Sequence, residues 1–161
     1  MSTGLVVLVI ASALGAGVVA GVFFAFSTFV MPALGRIPAP AGIAAMQSIN
    51  VTVINAWFMA AFMGTAVTSV AAIALAVADW QSAFGPYVVA AGVLYVVGVI
   101  GVTRAFHIPR NDALDKLDPA APTSEAFWSR YLVEWNAWNH VRAIAPLIAS
   151  GLEIGALHVG F

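Results

Sequence analysis

Four long apolar runs joined by short polar connections leave this chain little choice of architecture. They cover approximately 4–34, 50–78, 83–106 and 140–160. About 20 helical residues cross a hydrocarbon core of ~30 Å, so each run is long enough. Backbone polar groups in hydrocarbon must be satisfied inside the segment, and for isolated apolar runs only helices achieve this. Charged residues make up 8% of the chain, against about 25% in a soluble domain. The expected fold is an all-α integral membrane four-helix bundle, one domain over 1–161.

The remaining composition excludes several function classes. A net charge of −1 gives no concentrated basic surface, so no nucleic acid is expected as a partner. The chain has no cysteine, which rules out disulfides, thiolate metal sites, iron–sulfur clusters and a cysteine nucleophile. The first run lacks a positive leader and is too long for a signal peptide, and reads as a retained helix.

Four crossings put residues 35–49 and 107–140 on one face, side A, and both termini with the 79–82 turn on the other, side B. All six basic residues (Arg36, Arg104, Arg110, Lys116, Arg130 and Arg142) fall on or near side A. The positive-inside rule then predicts a multi-pass cell-membrane protein with side A cytoplasmic and both termini external. Gly17 and Gly21 form a G-x-x-x-G pair, and Gly98 and Gly101 lie close on the third run. Packing within the bundle is the favoured use of such residues, with a homo-oligomer the alternative. Pro32 and Pro146 are expected to kink the first and fourth helices near side A.

Between the third and fourth runs, Thr123 or Ser124 is a helix start. From there Phe127, Trp128, Tyr131, Leu132, Trp135 and Trp138 recur at helical spacing. An amphipathic aromatic helix over approximately 123–139 is expected, running on into the fourth span. An aromatic belt at the membrane interface is the favoured role, and the roof of a pocket for a flat ligand the other.

Polar residues inside or beside the runs gather at one depth. Gln47, Asn50 and Asn55 open the second helix, Arg104 and His107 close the third with Asn111 beyond, and Asn139, His140 and Arg142 open the fourth. Hydrocarbon offers such groups no partners. A pocket open toward side A explains the set better than mutual hydrogen bonding alone. His140 suits a general base, with a reference pKa near neutrality. His107, His140 and Glu134 form a less favoured metal-ligand set, because no H-x-x-x-H or E-x-x-H spacing supports them. Glu153, deep in the fourth run, must be protonated or paired, with His158 as a partner within reach.

These segments also carry a resemblance. The first helix ends Phe24-Ala-Phe-Ser-Thr-Phe-Val-Met31-Pro32, and the second opens Met46-Gln47-Ser-Ile-Asn50. The third ends Thr103-Arg-Ala-Phe106-His-Ile-Pro109-Arg-Asn111, and the fourth opens Trp135-Asn-Ala-Trp138-Asn139-His140-Val-Arg142. Over nearly its whole length the chain resembles the anthrone oxygenase-like family of small membrane proteins. The family's third-helix motif more usually reads Asn-x-Pro-x-Asn, where this chain has His107-Ile-Pro109-Arg-Asn111, so Asn111 is the matching position. The resemblance implies oxidation of anthrones to anthraquinones by molecular oxygen as co-substrate.

That chemistry needs a base for the central methylene, a cation or donor for the developing oxyanion, and a dry aromatic slot. His140 is the expected base, and Arg142 or Arg104 the anion stabiliser. Gln47, Asn50, Asn111 and Asn139 are expected to orient the substrate, with Phe24, Trp135 and Trp138 forming the slot. No flavin or metal is required by this scheme. The expected partners are membrane lipids and a small lipophilic aromatic ligand. The alternative function is a non-catalytic membrane protein that binds a quinone-like ligand or serves as a partner subunit. A transporter is disfavoured, because the polar groups cluster at one end.

Overall fold

The computed structural model describes residues 1–160. Five helices form it: α1 (Thr3–Leu34), α2 (Ala39–Thr52), α3 (Ala56–Ala78), α4 (Gly85–Asp115) and α5 (Ser124–Gly160). All but α2 are long and apolar enough to cross a membrane. Large apolar side chains such as Leu14, Val67, Val97 and Leu147 project outward and are more than half exposed, as lipid-facing surfaces require. The protein is an all-α membrane bundle.

The two longest helices, α1 and α5, run antiparallel, and polar contacts fix their register. The Met1 amine donates to the Gly160 carbonyl at 3.4 Å, so the two ends lie on one face. Further along, Ser150 Oγ donates to the Ala13 carbonyl at 3.0 Å, and Asn139 Nδ2 to the Phe23 carbonyl at 2.8 Å. The buried core follows this axis in three tiers. Leu5, Val9, Phe84 and Val88 pack near the termini. Ala16, Val19, Phe23, Phe62 and Tyr95 fill the middle. Met31, Ile43, Met46, Leu114, Trp128 and Tyr131 form a cap at side A.

That cap departs from the expected layout. Residues 35–49 are not simply a loop. Pro38 and Pro40 start α2, where a missing N–H is harmless. The chain then breaks at residues 53–55, and Asn55 restarts it by accepting from the Trp57 and Phe58 amides at 3.1 and 3.0 Å. Gln47 and Asn50 therefore stand on α2, not on the second span. As expected, the helix over 123–139 runs on into the span over 140–160 as one helix, α5, but its aromatic half is not a lipid belt. Trp128, Tyr131 and Trp135 are almost wholly buried against α1, α2 and α4, and of the three only Trp135 borders the chamber described below.

Helix α4 runs past its expected end at 106, through Pro109 to Asp115. Two π-helical stretches, Val96–Gly101 and Thr103–His107, precede that proline. In α1 a π-helical turn over Phe26–Val30 likewise ends two residues before Pro32. Proline lacks an N–H and crowds the carbonyl one α-turn back, and a wider turn ahead of it relieves both conflicts. The close helix approaches are not at Gly17 and Gly21, the latter being exposed with open space around it. They are at Gly15, packed on Thr65, and at Gly92 and Gly98, where a Cβ would meet Ile73 at 2.6 Å and Ala145 at 2.5 Å. Glu153 is buried and makes no ion pair with His158.

Candidate functional site

Under the side A cap, the four spans and α2 line a cavity of about 260 Å³. Its walls are largely aromatic, with Phe23 and Phe26 from α1, Phe58 and Phe62 from α3, and Trp135 from α5. Phe58 and Phe62 stack at 5.6 Å, and Phe23 meets Phe62 edge-on at 6.3 Å. Five polar side chains also line it: Asn50, Thr103, His107, Asn111 and Arg142. An apolar chamber with a few convergent polar groups is the usual form of a small-molecule site.

The electrostatic centre is Arg142, only 5% exposed. Nη1 donates to Thr103 Oγ1 at 3.2 Å and Nη2 to Asn139 Oδ1 at 2.9 Å. Its guanidinium carbon lies 4.1 Å from the Phe23 ring centre and 5.1 Å from that of Trp135. Among the described residues the single ion pair is Arg110–Glu134, so no carboxylate neutralises Arg142. Aromatic faces and neutral oxygens compensate a buried cation only in part. Asn139 stands behind it, fully buried, donating to the Phe23 carbonyl and to Ser27 Oγ at 2.9 Å, which fixes its oxygen toward Arg142.

A second network orients the opposite wall. Asn111 Oδ1 accepts from the Tyr131 hydroxyl at 2.8 Å and from Trp135 Nε1 at 3.0 Å. His107 Nε2 contacts the Trp135 carbonyl at 3.3 Å. A carbonyl only accepts, so this contact is a hydrogen bond in the tautomer that carries its proton on Nε2, which leaves the lone pair on Nδ1. Three cavity residues keep a buried polar atom without a hydrogen-bond partner: Asn50 Nδ2, His107 Nδ1 and Arg142 Nε. Orphaned groups of this kind are rare in folded proteins, and three around one chamber mark it as a place where a ligand completes the bonding.

The structure thus brings together Asn50, Asn111, Trp135 and Arg142, with Asn139 as their support. The other expected site residues lie elsewhere. Gln47 donates to the Leu114 and Leu117 carbonyls at 2.9 and 3.1 Å and ties α2 to the end of α4. Phe24 is 60% exposed, one position out of phase with the wall residue Phe23. Trp138 stacks on Phe106 outside the cavity, with ring centres 3.4 Å apart. Arg104 is exposed, and His140 faces a different groove. Glu134 is engaged by Arg110 at 3.0 Å, and among the described residues no three His, Asp or Glu side chains gather. The metal set of His107, His140 and Glu134 is therefore not assembled.

His107 is the main residue that sequence reasoning undervalued. Part of the signal was present. Asn139 and Arg142 are three apart on a regular helix and share a face, while His140 between them cannot.

A helical membrane protein with an aromatic chamber around a cation that no carboxylate neutralises is the class that this fold and site define. The chain belongs to the anthrone oxygenase family: residues 55–152, more than half of its length, match that family's model. No curated protein and no solved structure matches it.

Proposed function

We propose that the protein is an oxygenase that converts an anthrone or another lipophilic polycyclic phenol to the quinone with molecular oxygen. The observation that carries this reading is the buried, uncompensated Arg142 facing an aromatic chamber, an arrangement that favours a flat anion. Family membership supports the same class of chemistry.

In this reading His107 Nδ1, in place of His140, takes a proton from the substrate's central methylene. The resulting enolate-type anion lies near Arg142 and Asn50, whose free N–H groups stabilise its oxygen. One electron passes from the anion to O2, giving a carbon radical and superoxide, and these combine to a peroxide anion. The proton held by His107 returns to that peroxide. Loss of the second methylene hydrogen with cleavage of the O–O bond leaves the quinone carbonyl and one water. Substrate plus O2 thus becomes quinone plus water, and no flavin or metal is needed to balance the electrons. The chamber lies toward the face that carries the basic residues, which we propose is the cytoplasmic one.

The test is oxygen uptake by the purified full-length protein in detergent with emodin anthrone, with and without chelator. Uptake above the spontaneous rate, insensitive to chelation, is expected. His107→Ala removes the ring nitrogen, and it should lower turnover by about 100-fold or more while ligand-induced thermal stabilisation persists. Full activity in that variant would remove His107 as the base. Stabilisation by the anthrone with no uptake in wild type would identify a binder instead of an enzyme.

A further inference from the structure

Contacts across the bundle fix which residues share a level along its axis. Phe23 meets Phe58 of α3 at 6.3 Å and accepts from Asn139 of α5, and Arg142, three residues along α5, reaches Thr103 of α4. Trp57, Arg104 and His140 are the chain neighbours of these contact residues. They therefore lie at one level, within about one helical turn of ~5 Å. All three are exposed.

Surface chemistry changes at that level. Toward side B the outward residues are apolar, as with Val67 on α3, Val97 on α4, and Ile144 and Leu147 on α5, each more than half exposed. Toward side A, Asp112 and Asp115 on α4 and Ser129, Arg130 and Glu134 on α5 are exposed instead. Val133 is an apolar exception there, and single exposed apolar residues are ordinary in water. Tryptophan marks both limits of the apolar belt. Trp57 is 89% exposed at the start of α3, and Trp80 is 52% exposed just past its end. The 23 residues of α3 measure ~35 Å, so the two rings are separated by about one hydrocarbon core of ~30 Å, at the depths where tryptophan settles. The other three spans have 32, 31 and 37 residues, and their extra length lies toward side A.

We propose that the polar interface of the bilayer meets the bundle at Trp57, Arg104 and His140, so that the side A cap stands in water and the chamber's edge opens in the headgroup layer. Ile54 and Ile108, the exposed residues at that edge, lie three and four residues beyond Trp57 and Arg104 toward side A. That is roughly 5–8 Å, about the thickness of one headgroup layer. The surface the chamber opens to is therefore the interface, where flat rings with a polar edge settle, and not the acyl interior. The proposal is independent of the oxygenase reading.

The chain has no cysteine, so each single-cysteine variant reports one position. The experiment uses the full-length protein in phosphatidylcholine nanodiscs, with a charged maleimide and the rate of mass gain followed by mass spectrometry. The thiolate is the reactive form, and neither it nor the charged reagent is stable in hydrocarbon. Ser129→Cys and Val133→Cys should label fast, and Val97→Cys and Ile144→Cys at least about 100-fold more slowly. Ile54→Cys and Ile108→Cys should fall between the two groups. All six positions are exposed in the folded bundle, so slow labelling reports lipid cover. Circular dichroism checks that each variant folds, and unfolding in sodium dodecyl sulfate should bring all six to one rate. Protection of Ser129→Cys and Val133→Cys equal to that of Ile144→Cys overturns the proposal and moves the boundary to the helix ends. Fast labelling of Val97→Cys and Ile144→Cys overturns it in the other direction. Protection of Ile54→Cys and Ile108→Cys as strong as that of Ile144→Cys overturns the placement of the chamber's edge and puts it in hydrocarbon.

Discussion

Arg142 stays ordered inside the bundle because two neutral oxygens and two aromatic faces hold it, and each can be removed separately. Asn139→Ala deletes the acceptor of Nη2 and the donors to Phe23 and Ser27. Buried groups left unsatisfied cost about 1–3 kcal/mol, so this variant should unfold at clearly lower temperature in detergent, measurable by circular dichroism. Arg142→Lys keeps the charge but loses the fork that reaches Thr103 and Asn139 together. Oxygen uptake should fall at least about tenfold although the charge is retained, and near-wild-type uptake would show that charge alone suffices. At this scale much of the site was legible. Asn50, Asn111, Asn139 and Arg142 stand out because polar groups in apolar runs need partners. Helical phase was harder to read. Arg104 and His107, three apart, share a face of an α-helix, yet the π-helical turn that contains both leaves Arg104 exposed and His107 buried. Phe23 and Phe24 are adjacent on a regular α-helix, and only Phe23 lines the chamber.

Among the elements, the spans were legible from apolar length, and their polar ends were not. α2 has only a modest apolar face, and its start depends on prolines that also suit a loop. The break after it rests on Asn55, which accepts two amides and donates to the Thr52 carbonyl at 3.0 Å. Asn55→Ala should destabilise the fold by about 1 kcal/mol through the lost cap, read as a lower unfolding midpoint. Gly98 faces a stiffer constraint. A Cβ there would meet that of Ala145, next to the buried Pro146 of α5. Gly98→Val should push α4 from α5 and cost about 1–3 kcal/mol by overpacking. Gly64→Val, where nothing lies within 4 Å, should be far milder, and equal losses would show that propensity rather than contact sets the effect.

For the molecule as a whole, the chamber's position matters as much as its lining. Two of its wall residues, Ile54 and Ile108, are 72% and 48% exposed, and Ile54 belongs to the break between α2 and α3. The break therefore leaves the chamber's edge open at the outer surface of the bundle. If substrate arrives from the bilayer, Ile54→Trp with Ile108→Trp should lower kcat/KM several-fold and leave kcat nearly unchanged. In proteoliposomes, turnover should follow the amount of anthrone dissolved in the membrane instead of its aqueous concentration. A wild-type kcat/KM in the double variant would point to access through the cap.

The fixed charge of Arg142 also has an electrochemical side. Beside a carbon acid it makes the anion easier to form and, by the same attraction, harder to oxidise. On the oxygenase reading, superoxide formed in the same chamber is stabilised by that charge as well. The negative charge near the guanidinium is therefore the same before and after the electron moves, and the two shifts in potential oppose each other. Arg142 can capture the anion without setting the driving force of the electron transfer, which is left to the substrate. Tight binding and fast oxidation should then part company across a series of anthrones, the first following acidity and the second reducing power.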